Sequence, residues 1–180
     1  MELGKSASKT TVVLYLSLFL GLSADAWAES ERFTAPLPSA QWEWEKTLPA
    51  GVPAQTVHLY LKKKGSASSI LLRAARKGEF GIPTYFELED DEFAYLVKVL
   101  PKGSYLGEVS LSLNNPALPQ LKGFKFSGQH PALGECQDVL LMQKGKDIIL
   151  IELLTKAADY EKDVGDLKTF LAGLKDQGAK

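Results

Sequence analysis

The side chains able to do acid–base or nucleophilic chemistry are few. Histidine occurs at His58 and His130 and cysteine at Cys136 alone. His130, Cys136 and Asp138 stand close along the chain. A thiolate, an imidazole that moves its proton and a carboxylate that orients the ring would make a nucleophilic triad. Proximity along a chain does not build that geometry, and the local surroundings of known cysteine nucleophiles are missing. His130 therefore reads as a loop residue before Pro131, His58 as a residue on the more polar face of a strand, and Cys136 as a small buried side chain. Glu87, Glu89, Asp90, Asp91 and Glu92 form an acidic run. Calcium needs about six to eight oxygens from a shaped, glycine-bearing loop, and that pattern is absent. These charges suit the first turns of a helix, whose dipole favours them. Two histidines and one cysteine at 58, 130 and 136 lack the tight spacing of a zinc site. There is no phosphate-cradling glycine loop and no dinucleotide fingerprint. The sequence thus predicts no catalytic, cofactor-binding or metal-binding residues, and a chain that is not an enzyme.

Binding residues are easier to find. Trp42 and Trp44 alternate with Glu43 and Glu45, so a short strand would place both indoles on one face. Aromatic side chains are enriched at binding hot spots, although they also anchor cores. Lys62, Lys63 and Lys64 approach a turn, and Arg73, Arg76 and Lys77 follow on the next run. Together they could form a basic patch for an acidic partner, or the solvated turn and edge lysines that discourage aggregation. The candidate binding surface is Trp42, Trp44, Lys62, Lys63, Lys64 and Arg73.

The elements that position these residues follow from periodicity. Residues 29–56 are punctuated by Pro36, Pro38, Pro49 and Pro53. Val57, Leu59 and Leu61 then alternate with more polar residues, and Ile70, Leu72 and Ala74 do so after Lys64-Gly65-Ser66. Two alternating runs around a glycine turn predict a β-hairpin. Thr84-Tyr85-Phe86-Glu87 has the capping-box form, and Phe86, Phe93, Val97 and Leu100 recur at helical spacing before Pro101. This predicts a helix over 85–100. Strands are expected over 108–113 and 121–127, and a hairpin from 137–142 and 147–154 around Lys144-Gly145-Lys146. Ile148, Ile149, Leu150 and Ile151 are consecutive apolar residues, as in an interior strand covered on both sides. One cover is a second helix, where Tyr160, Val164, Leu167, Leu171 and Leu174 form a single apolar stripe. Asp159 is its expected N-cap.

At the start of the chain, Lys5 and Lys9 precede a run from Thr11 to Leu22 that is almost wholly apolar, followed by Ala26-Trp27-Ala28. The run is shorter than the roughly 20 residues needed to span a membrane. The pattern reads as a signal peptide over 1–28, with a single globular domain over 29–180. Lys5 and Lys9 offset Glu2 and Asp25, so the net charge of −1 is unchanged by their removal. Such a balance gives no general attraction for nucleic acid or acidic membranes. With one cysteine there is no internal disulfide, and the mature chain carries no expected membrane anchor. The expected location is the periplasm or outside the cell.

In element order the chain resembles the PsbP-like fold family, which includes the extrinsic PsbP protein of photosystem II, a Ran-binding import factor and small exported bacterial proteins. The resemblance is carried by residues 121–175. There Gly123-Phe124-Lys125-Phe126-Ser127-Gly128 leads into the hairpin at Lys144-Gly145-Lys146, and a helix ends in Phe170-Leu171-Ala172-Gly173-Leu174. The expected fold is α/β of the α+β type, a mainly antiparallel sheet with helices on both faces. The resemblance implies a non-enzymatic scaffold, and it transfers no functional residue. The expected function is binding of an envelope or secreted protein, as an assembly or accessory module. The alternative is a carrier of a small apolar ligand, in a pocket between sheet and helix lined partly by Trp42, Trp44, Phe124 and Phe126.

Overall fold

The computed structural model describes residues 32–76 and 104–178. Strand β1 (Phe33–Thr34) leads to β2 (Trp42–Trp44), β3 (Val57–Lys63) and β4 (Ser69–Arg76). Then come β5 (Ser104–Ser112), β6 (Gln120–His130), β7 (Gly134–Lys144) and β8 (Asp147–Lys156). Helix α1 (Tyr160–Ala172) and β9 (Lys175–Asp176) complete the order. Seven strands form one sheet in the order β2-β3-β4-β8-β7-β6-β5, each neighbour antiparallel. β1 and β9 pair separately, tying the start of the described chain to its end.

The predicted hairpins are present. Gly65, at φ 68°, makes the left-handed turn between β3 and β4 that a side chain would disfavour. β6 and β7 are longer than their apolar alternation predicts. Their ladder continues through Gln129↔Glu135 to His130↔Gly134. Backbone pairing sustains those outer rungs, so polar side chains there carry no strand signature.

The register sorts side chains onto two faces, because a strand alternates with period two. Ile149, Ile151 and Leu153 of β8 stand beside Ala74, Leu72 and Ile70 of β4 and, from Leu141 on, beside β7. These residues pack with Leu167, Phe170, Leu171 and Leu174 around α1. Ile148 and Leu150 point the other way, into a cluster with Ala75, Phe124, Phe126 and Met142. β8 is the fourth of the seven strands and is buried on both sides, as its unbroken apolar run requires. Elsewhere on that second face, Leu48 and Val52 of the proline-punctuated segment pack against Val57, Tyr60 and Leu71.

The fold is therefore mainly an antiparallel sheet with a helix on one face. Among the described residues α1 is the sole α-helix, so helices on both faces are not shown. The expected helix over 85–100, its acidic run and the leader over 1–28 lie outside the described residues. The expected N-cap residue is in place. Asp159 occupies the cap position but makes no capping hydrogen bond, because its carboxylate turns to Lys63 at 3.2 Å.

Two polar anchors hold the ends. Asn115 donates through Nδ2 to the Leu171 and Leu174 carbonyls at 2.6 and 2.8 Å, tying the loop before β6 to the end of the helix. Arg32 reaches Asp147 at 2.6 Å and Asp176 at 3.1 Å, clasping β8 and β9. His58 lies against this clasp, its ring edge-on to Phe33 at 5.0 Å. Burial, and then the Arg32 charge, hold its imidazole below its ordinary pKa. The folded state thus takes up this proton less readily than the unfolded chain. This contribution to stability is full above the unfolded value of about 6.5 and is lost as pH falls through the lower folded value. Thermal midpoints measured between pH 7 and pH 5 should fall, and His58→Gln should flatten that part of the profile. A wild-type profile no steeper than that of His58→Gln would refute the assignment.

Candidate functional site

β2 is one edge of the sheet, and it carries the two tryptophans. Both side chains face α1, as their shared parity predicts, but with opposite roles. Trp42 is 0% exposed, and its indole Nε1 donates to Asp166 Oδ2 at 2.8 Å. Ser39 donates to the same oxygen at 3.4 Å. Trp42 is a core anchor and is unavailable to a partner. Trp44 is 46% exposed and stands edge-on to the buried Phe170 ring at 6.5 Å. Leu37, 40% exposed, follows Pro36, whose ring packs at Gly173 just beyond Phe170. Trp44 and Leu37 thus bring exposed apolar surface to the C-terminal end of α1.

The basic candidates do not make one patch. Lys62 lies on the face away from α1 and pairs with Glu45 at 3.2 Å. Glu45 sits below its usual carboxylate range, chiefly through the Thr47 amide hydrogen bond and also through Lys62. The bond to Glu45 raises Lys62 in turn. Lys63 points to the helix side and is consumed internally, at 2.7 Å from Asp163 and 3.2 Å from Asp159. Burial opposes its charge, yet these two carboxylates raise it above its ordinary pKa. Lys64 extends along the surface to the Ala40 carbonyl at 3.0 Å. Arg73 donates to the Thr56 hydroxyl at 3.1 Å, bracing the segment before β3. The reason is parity: Lys62 and Lys63 are consecutive on a strand and must face opposite ways. Of the six candidates, Trp44, Lys62 and Lys64 remain at the surface around β2.

The residues weighed for chemistry are placed as follows. Cys136 is buried, and burial, then the Asp138 charge, raise its thiol pKa, which disfavours the thiolate a nucleophile needs. His130 accepts the Ala132 amide through Nδ1 at 3.2 Å, within its own turn. Among the described residues no group of three or more His, Cys, Asp or Glu is placed to hold a metal ion. Trp42 and Trp44 lie on the helix face, and Phe124 and Phe126 on the other, packed with Met142 and Leu150. The four aromatics therefore do not line one pocket between sheet and helix.

Comparison with known proteins adds an overall likeness. The chain is similar to the solution structure of cyanobacterial PsbP from Synechocystis sp. PCC 6803, at 9% identity and a TM-score of 0.41. The match covers 86% of this chain and 98% of that one. It falls within the family that residues 121–175 resemble. At this distance it carries no argument about activity or partners. No protein-family model and no curated protein matches the sequence. No helix among the described residues is long and apolar enough to cross a membrane.

One residue carries a structural role that the sequence reading did not assign to it. Asp163 is 0% exposed on the buried side of α1 and accepts from both Lys63 and Thr155. Its signal was present: it lies three residues after Tyr160 and four before Leu167, on the helix face that packs down.

Proposed function

We propose that this chain is an exported, non-enzymatic module that binds another envelope or secreted protein through the β2 edge. The observation that supports this reading is Trp44, a large indole left 46% exposed on a strand fixed by its buried neighbour Trp42. An aromatic anchor held in place loses little freedom on binding, and its burial is worth more than a mobile surface charge. Leu37 adds apolar area, and Glu43, Lys62 and Lys64 supply a charged rim. The 1–28 leader belongs to the same reading, as the route by which the module reaches its partner. So does a helix over 85–100 covering the second face. Ile148 and Leu150 are 0% and 2% exposed there, although α1 lies on the opposite side.

The test is recovery of partners by the tagged protein from its own envelope fraction. Trp44→Ala should reduce recovery of a specific protein about tenfold or more, a hot-spot loss. Lys62→Ala should change it little, since a solvated pair contributes under about 1 kcal/mol. Co-purification of a lipid or small molecule with no protein partner would overturn the proposal. So would equal recovery by Trp44→Ala.

A further inference from the structure

The opposite edge of the sheet has a different character. β5 pairs with β6 on one side, and among the described residues no strand pairs with its other side. The Leu113 amide donates to the Pro119 carbonyl at 3.0 Å, so Leu113, Leu111 and Val109 turn their backbone groups toward β6. The alternation of an antiparallel ladder then leaves the N–H and C=O of Glu108, Ser110 and Ser112 directed outward. All three residues are exposed. The devices that usually blunt an edge are sparse: residues 108–112 hold one charge, no lysine and no proline. The bulge between Tyr105 and Gly107, with Leu106 46% exposed, bounds the regular stretch at one end.

We propose that two copies of this chain associate through antiparallel pairing of β5 with β5, about a two-fold axis through Ser110. This inference is independent of the partner surface, which lies at the other edge. The residue pattern suits a second copy of the same strand in this register. Centred on Ser110, Glu108 of each copy faces the neutral Ser112 of the other. Val109 faces Leu111 on the α1 side, where Leu111 is already part of the core and Val109 packs against it. Every outward N–H and C=O of residues 108, 110 and 112 is then paired. A centre at Glu108 would set two carboxylates against each other, and one at Val109 would set Leu111 against Gly107, which offers no side chain. The axis stands normal to the sheet, so both α1 helices lie on the same side and the two sheets become continuous. Such an edge buries less than the roughly 1,200 Å² of standard interfaces, which places the pairing among weak, concentration-dependent associations.

Sedimentation equilibrium of the purified full chain should show dimer growing with concentration. Ser110→Lys places two ammonium groups across the axis. It should weaken association at least about tenfold, while a thermal melt shows the fold intact. Register is read by disulfide trapping with diamide, because Cys136 is buried and does not compete. Ser110→Cys should cross-link alone. Glu108→Cys and Ser112→Cys should each fail alone and cross-link when mixed. A monomer at about 1 mM would overturn the proposal, as would Glu108→Cys cross-linking alone as fully as the mixture.

Discussion

Gly123→Ala is expected to destabilise the protein by ~4 kcal/mol or more, enough to unfold much of a marginally stable domain. A Cβ on Gly123 would run into the Leu140 carbonyl and come within 2.8 Å of Leu141 Cα, all of it backbone. A side chain in the way can rotate, but these atoms belong to the ladder between β6 and β7. That ladder runs from Lys122↔Met142 to His130↔Gly134, so relief means breaking rungs between two interior strands of the sheet. Gly128, in the same strand, is the control. There the nearest neighbour of an added Cβ is the Cys136 sulfur at 3.8 Å, an ordinary contact. Gly128→Ala should lie within about 1 kcal/mol of wild type. Urea denaturation of both variants checks the pair. Equal midpoints would show that the close approach at Gly123 is not what the fold depends on.

Asp163→Ala is the second large effect, about 3 kcal/mol. Asp163 has no exposed side-chain area, and its two oxygens are shared between Lys63 at 2.7 Å and the Thr155 hydroxyl. Removing it leaves a hydroxyl without its acceptor and an ammonium, 10% exposed, with only Asp159 beside it. A buried charge stripped of its main partner costs far more than the pair contributed when intact. Asp159→Ala should cost under about 1 kcal/mol, since that carboxylate is 41% exposed and water replaces it. Lys63→Met combined with Asp163→Leu should recover most of the loss, because both charges leave together. If Asp159→Ala proved the costlier single change, the network would be anchored at the surface and the ranking would fail.

Asp163 also shows where reading by pattern stops. The stripe of Tyr160, Val164, Leu167 and Leu171 marks α1 and its buried side, and Leu167 and Leu171 are 0% exposed. A charge on that side looks like an interruption until Lys63, a hundred residues earlier, is brought beneath it. Lys63 was misplaced for the matching reason. Within its lysine run it resembles a solvated turn, although it continues the parity of Leu59 and Leu61, which pack on the α1 side. Trp42 and Trp44 present the same problem. Their spacing correctly puts them on one side of one strand. Which is sealed and which stays open depends on Asp166 and Phe170 of α1, and on how far the helix extends over the sheet edge.

What the sequence determined by itself is local: the β3–β4 and β7–β8 hairpins, the amphipathic terminal helix and the doubly buried β8. Each is written in the period of its apolar residues and in its turn residues, and neither needs a distant partner to be read. Tertiary structure alone decided the strand order, the split of Trp42/Trp44 from Phe124/Phe126 across the sheet, and the burial of Lys63. It also decided which strands lie at the two ends of the sheet among the described residues. Those features are settled by which strand lies next to which, a contest of long-range packing and loop closure that leaves no periodic trace in the chain.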